Sequence, residues 1–155
     1  MKWILFCFLL LTGCAGQFGQ RDIQPSEEGA NSGLTLTIDG TAVDVRWEDN
    51  DAVSELIDCV REAQITVHTS AYGGFEQVGS LPRSFSASDV RMTTVPGDIV
   101  LYSGNQVVLF YGSNSWSYTR LGHISLSAEK LTELLGGEGA VIELKYLEST
   151  IQMQQ

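Results

Sequence analysis

Residues 98–111, DIVLYSGNQVVLFY, constrain the fold of this chain more than any other stretch. Two runs of β-branched and aromatic residues, 98–103 and 106–111, flank Gly104-Asn105, a pair that tolerates the positive φ angles of a tight hairpin turn. A two-residue loop there puts Ile99, Leu101, Val108 and Phe110 on one face. Val100, Tyr102, Val107 and Leu109 fall on the other. Both faces are apolar, so this hairpin must be packed on two sides. The rest of the chain has to supply what covers it.

A second hairpin lies near the start of the folded region. Leu34, Leu36 and Ile38 alternate with threonines, Val43, Val45 and Trp47 alternate with Asp44 and Arg46, and Asp39-Gly40 lies between. A type I′ turn pairs Ile38 with Thr41, Leu36 with Val43 and Leu34 with Val45, which places the apolar residues on one face. Asp49, Asn50 and Asp51 offer N-caps for a helix whose apolar stripe is Ala52, Val53, Leu56, Ile57 and Val60. Residues 65–69 read as a strand, 70–80 as a loop and 81–92 as weakly extended. Beyond the central hairpin, residues 113–123 read as an aromatic, hydroxyl-rich loop. Ser127 caps a second helix over 128–135 that ends at Gly136-Gly137, and 141–147 is a last strand. Strands throughout and two short helices predict a mainly β domain, a closed or nearly closed β-barrel capped by the helices.

The N-terminus reads as an address rather than as fold. Lys2 precedes an apolar run, 3–11, too short to span a bilayer permanently. Leu11-Thr12-Gly13-Cys14 resembles a bacterial lipobox, which implies cleavage after residue 13 and a lipidated Cys14. The chain then divides into a signal segment 1–13, a flexible tether 14–33, a single domain 34–148 and a frayed tail 149–155. A flexible tether of that length spans about 25 Å. The expected location is the extracytoplasmic face of a bacterial membrane. Cys7 leaves with the signal, so Cys59 is the one thiol of the mature domain and no intradomain disulfide can form. It sits in the first helical pattern, as a half-buried small hydrophobe would. The formal net charge of -10 disfavours nucleic acid, whose phosphates are bound by Lys and Arg.

The chemistry-bearing residues form no catalytic constellation. His68 and His123 stand apart from other metal ligands, and no glycine-rich loop opens a helix with phosphate-binding spacing, so neither metal nor cofactor is expected. The candidates for binding are Phe75, Phe110, Tyr111, Trp116 and Tyr118, with Gln77, Asn114 and Arg120 as polar partners. Phe110 suits a strand core. Trp116 and Tyr118 alternate with Ser115, Ser117 and Thr119, which fits either a binding rim or a buried staple for the loop.

From Leu34 to Leu147 the sequence resembles the cyclophilin-like proteins of bacteria and archaea. The resemblance rests on Glu48-Asp49-Asn50, on Gly74-Phe75-Glu76-Gln77-Val78-Gly79, on Pro96-Gly97-Asp98-Ile99-Val100-Leu101-Tyr102 and on the run from Gly104 to Gly122. It implies the cyclophilin barrel, and a flavodoxin-type partner, since such domains occur fused to or beside flavodoxins. In cyclophilins a phenylalanine pocket beside an arginine catalyses prolyl isomerisation. Phe75 and Gln77 resemble that segment, but Ser70 stands where the arginine would be, with Arg83 and Arg91 further along. Two functions follow: a membrane-tethered module binding a small molecule or peptide, and a weak prolyl isomerase.

Overall fold

The computed structural model describes residues 33–148. The expected signal segment, Cys14, nearly all of the tether and the tail lie outside the described residues. The first half of the domain runs β1 (Leu34–Ile38), β2 (Thr41–Val43), β3 (Val45–Trp47), α1 (Asp51–Glu62), β4 (Ile65–His68), β5 (Ser70–Tyr72) and β6 (Glu76–Ser80). The second half runs β7 (Val90–Thr93), β8 (Asp98–Tyr102), β9 (Gln106–Phe110), β10 (Ser115–Ile124), α2 (Ala128–Leu135) and β11 (Val141–Tyr146). The domain is thus mainly β with two helices, as its periodicity predicts.

The strands form two antiparallel sheets. One has the order β2-β1-β11-β4; the other runs β3-β10-β8-β9-β6-β5, with β7 paired to β10. Among the described residues no ladder closes either sheet on itself. Instead the chain passes from one sheet to the other at Asp44, between β2 and β3, and at Thr69, between β4 and β5.

The turn Asp39-Gly40 forms as expected, with φ of 47° and 78°, and sets Ile38 opposite Thr41 and Leu36 opposite Val43. The third expected pair does not form. The strand breaks at Asp44, and Val45 pairs with Ile124 of β10 rather than with Leu34. In the central hairpin the loop has three residues, not two. Asn105 N–H donates to Tyr102 C=O at 3.3 Å, closing the turn on Ser103-Gly104 (φ 50° and 74°), and Tyr102 pairs with Gln106. A slip of one residue exchanges the faces of a strand. Ile99, Leu101, Val107 and Leu109 therefore share the main core, while Val100, Val108 and Phe110 share the opposite face.

Two segments read as loops are strands. Residues 70–80 form the β5–β6 hairpin, in which Tyr72 faces Glu76, and residues 115–124 form the ten-residue β10. Polar and small residues disguise both, because each has one face outside the main core. That core lies between the sheets and the helices. β1, β4 and β11 contribute Leu36, Ile38, Val67, Ile142 and Leu144; the facing sheet contributes Ile99, Leu101, Leu109 and Leu121. From α1 come Val53, Leu56 and Val60, from α2 Leu131 and Leu135, and Cys59 is half-buried against the same core. Asn50 caps α1 by accepting from Val53 N–H at 3.0 Å and donates its amide to Arg120 C=O at 2.8 Å, tying the helix to β10.

Candidate functional site

The outer face of the larger sheet carries a second apolar cluster, Val100, Val108, Phe110 and Tyr118, with Phe75, Val78 and Met92 against it. Among the described residues no helix lies over it; a pocket of about 370 Å³ opens there instead. β5 and β6 bring Tyr72, Glu76 and Val78, β8 and β9 bring Tyr102, Gln106 and Val108, and Asn114, Trp116 and Tyr118 complete the wall. Tyr72 and Trp116 form the rim, with 66% and 54% of their surface exposed. Tyr118 and Glu76, at 4% and 6%, form the floor.

The floor is built to hold one geometry. The Tyr118 ring meets Phe110 and Tyr102 edge to face, at centroid separations of 5.7 and 6.0 Å. Its hydroxyl accepts from the Asn114 amide at 3.0 Å. Asn114 is itself clamped, its N–H donating to Thr94 Oγ1 at 2.9 Å and its C=O accepting from Thr94 N–H at 2.8 Å. An Asn114 held on three sides fixes where the Tyr118 oxygen points.

Glu76 is the unusual member. Its Oε2 is buried and has no hydrogen-bond partner. A carboxylate removed from water without a partner resists ionisation, and burial pushes Glu76 up to about 7. Tyr118 is also raised, first by burial and then by the nearby Glu76 charge, with the Asn114 bond opposing. Among the described residues no Lys, Arg or His lines the pocket. The site therefore combines apolar walls, aromatic faces and a single proton-exchanging acceptor.

A separate polar group lies along the same face. Asp98 is fully buried; its Oδ1 accepts from Arg120 Nη1 at 3.0 Å and meets His123 Nδ1 at 2.9 Å, and its Oδ2 accepts from Val95 N–H at 3.0 Å. A β-bulge between Arg120 and Gly122 brings Arg120 and His123 to the same oxygen, although their spacing in a regular strand would put them on opposite faces. All of the Asp98 acceptors are engaged within the protein, so this cluster anchors β10 to β8.

The sequence candidates thus separate. Asn114, Trp116 and Tyr118 come together in the pocket. Phe110 is fully buried beneath Tyr118, and Phe75 is half-buried against the same cluster. Tyr111 packs on the main core instead. Arg120 is paired with Asp98. Gln77 turns away from the pocket: fully buried, it donates to Leu135 C=O at 2.7 Å and Gly137 C=O at 2.9 Å, and accepts from Thr69 Oγ1 at 2.9 Å. It holds the end of α2 to β6, so its place is structural. Arg83 is not beside Phe75 either; its guanidinium lies 4.7 Å above the Phe85 ring. Glu76, Tyr72 and Tyr102 escaped the sequence reading. The alternation of Glu76 with Gln77 and Val78 signals a strand, but a segment read as a loop has no faces to assign.

The sequence profile of the cyclophilin-like family matches residues 36–145. The chain belongs to the cyclophilin-like family. That match spans the pocket and all of the buried core except Leu34. Among solved structures, a hypothetical protein from Archaeoglobus fulgidus superposes with a TM-score of 0.47 at 14% identity, covering 74% of this chain and 93% of that one. No curated protein matches this chain.

Proposed function

We propose that this cyclophilin-like protein is a membrane-tethered binding module of the bacterial cell envelope, which takes a small molecule or short peptide into the pocket between Tyr72 and Trp116. The observation that carries this reading is the pocket itself: aromatic walls on a clamped floor, on a face that no helix of the described residues covers. A half-exposed Trp at the mouth suits a rim better than a staple, because a staple is buried. Tethering rests on the Cys14 lipobox, since diacylglycerol plus a further acyl chain anchors stably where one chain does not. We infer also that the two sheets make a single cyclophilin-type barrel, with the strands bent at Asp44 and Thr69 as its corners.

A thermal-shift screen of small aromatic and peptide compounds tests the binding reading, because a ligand of the native state raises its melting temperature. Compounds that shift the wild type should fail to shift Trp116→Ala, whose own melting temperature should be almost unchanged. Equal shifts in both proteins would place the site elsewhere. Fractionation tests the anchor: Cys14→Ser should move the protein out of the membrane fraction, and unchanged membrane association would refute lipidation.

A further inference from the structure

We propose that the pocket selects an organic cation bearing N–H groups, an amine or guanidine on an apolar body, seated with its charge against Glu76. This inference rests on the binding role of the pocket and names the ligand's chemistry. Glu76 lines the cavity, and its Oε2 is buried with no hydrogen-bond partner among the described residues, so it is an acceptor waiting for a donor. No side chain among the described residues donates to it. β5 and β8 present the Tyr72 and Tyr102 rings, β9 presents Gln106 and Val108, and the Tyr118 hydroxyl on β10 accepts from Asn114, none of them bonded to Oε2. Those rings add a second attraction, since the faces of Tyr and Trp favour a cation, more strongly where water is scarce. A neutral ligand would use the walls and leave the carboxylate unmatched. An anionic one would be repelled by it and by the chain's net charge of -10.

Glu76 would also couple binding to protons. The other titratable groups facing it are the phenols of Tyr72, Tyr102 and Tyr118, and burial moves Tyr118 further from neutrality. Near neutrality the charge of the pocket follows Glu76, which burial pushes up to about 7.

Three probes that differ only at one end decide the matter: tyramine, its neutral alcohol analogue tyrosol, and 4-hydroxyphenylacetate. Each is titrated into the full-length protein while the Trp116 indole N–H and the Asn114 side-chain amide are followed by NMR. At pH 8 tyramine should bind about tenfold or more tighter than tyrosol, the factor one charged hydrogen bond supplies, and the acid should bind weakest. Glu76→Gln should abolish the preference for the amine. In the wild type, tyramine affinity should rise between pH 6 and 8 while that of tyrosol stays flat, a readout that needs no variant. Equal binding of amine and alcohol, a preference that survives Glu76→Gln, or a flat tyramine profile would each overturn the cation inference and leave the pocket as a binding site. No perturbation of Trp116 or Asn114 by any probe would overturn both.

Discussion

Glu76→Gln should make this protein more stable at alkaline pH. The folded state holds the Glu76 proton more tightly than the unfolded chain does, because ionising the carboxyl means charging an unpartnered oxygen in a buried place. Between pH 4.5 and about 7 the native state therefore carries more protons at this site, and stability falls as pH rises through that window. Above about pH 7 the loss is complete and the profile levels off. A rise from 4.5 to about 7 corresponds to at most about 3.5 kcal/mol, at about 1.4 kcal/mol per pH unit. Water reaches the pocket and screens part of that, so the expected loss is about 1–2 kcal/mol. Gln has nearly the same shape and cannot ionise. Urea unfolding of both proteins at pH 5 and pH 8 gives the measurement. The two should be about equally stable at pH 5, and the variant should lead by about 1–2 kcal/mol at pH 8. Comparing the two cancels the opposite trend from Glu55, Glu129 and Glu143, which hydrogen bonds hold below the usual carboxylate range. A gap between variant and wild type that is the same at both pH values would show that Glu76 is solvated, and the pocket chemistry argued from its burial would fall with it.

Gln77→Ala should cost about 1–3 kcal/mol in urea unfolding, because it strips the buried Leu135 carbonyl of its Gln77 donor and takes one partner each from the Gly137 carbonyl and the Thr69 hydroxyl; a silent change would return Gln77 to the list of ligand contacts. Gly79→Ala should destabilise by about 1–3 kcal/mol, since a Cβ there would overlap the Val67 Cγ1 methyl and press on Thr69 Cγ2, where β6 passes close to β4. An unchanged melting temperature for Gly79→Ala would show that the two sheets pack less closely at that corner.

The sequence by itself determined whatever depends on neighbours a few residues apart. Asp39-Gly40 accepts the positive φ angles of a type I′ turn, Asn50 and Ser127 reach the first free N–H groups of their helices, and the stripe from Ala52 to Val60 repeats at helical period. Each preference is paid within one turn of chain, so it shows in the letters. The two apolar faces of the central hairpin were legible as well, though not what met them: one is in the main core and the other floors an open pocket. Only the tertiary structure decided which residues face which side. Moving the turn from Gly104-Asn105 to Ser103-Gly104 alters no propensity that the sequence displays, yet it exchanges the faces of β9 relative to β8. The bulge at Leu121 likewise sets Arg120 and His123 on one Asp98 oxygen. Glu76 shows the same limit at the site. Nothing local marks it as buried; it loses its water because β6 pairs with β9, which places Glu76 opposite Phe110, over thirty residues away in the chain, and β10 lays Tyr118 alongside. Burial is a property of what packs over a side chain, and Phe110 and Tyr118, which shelter Glu76, come from distant strands.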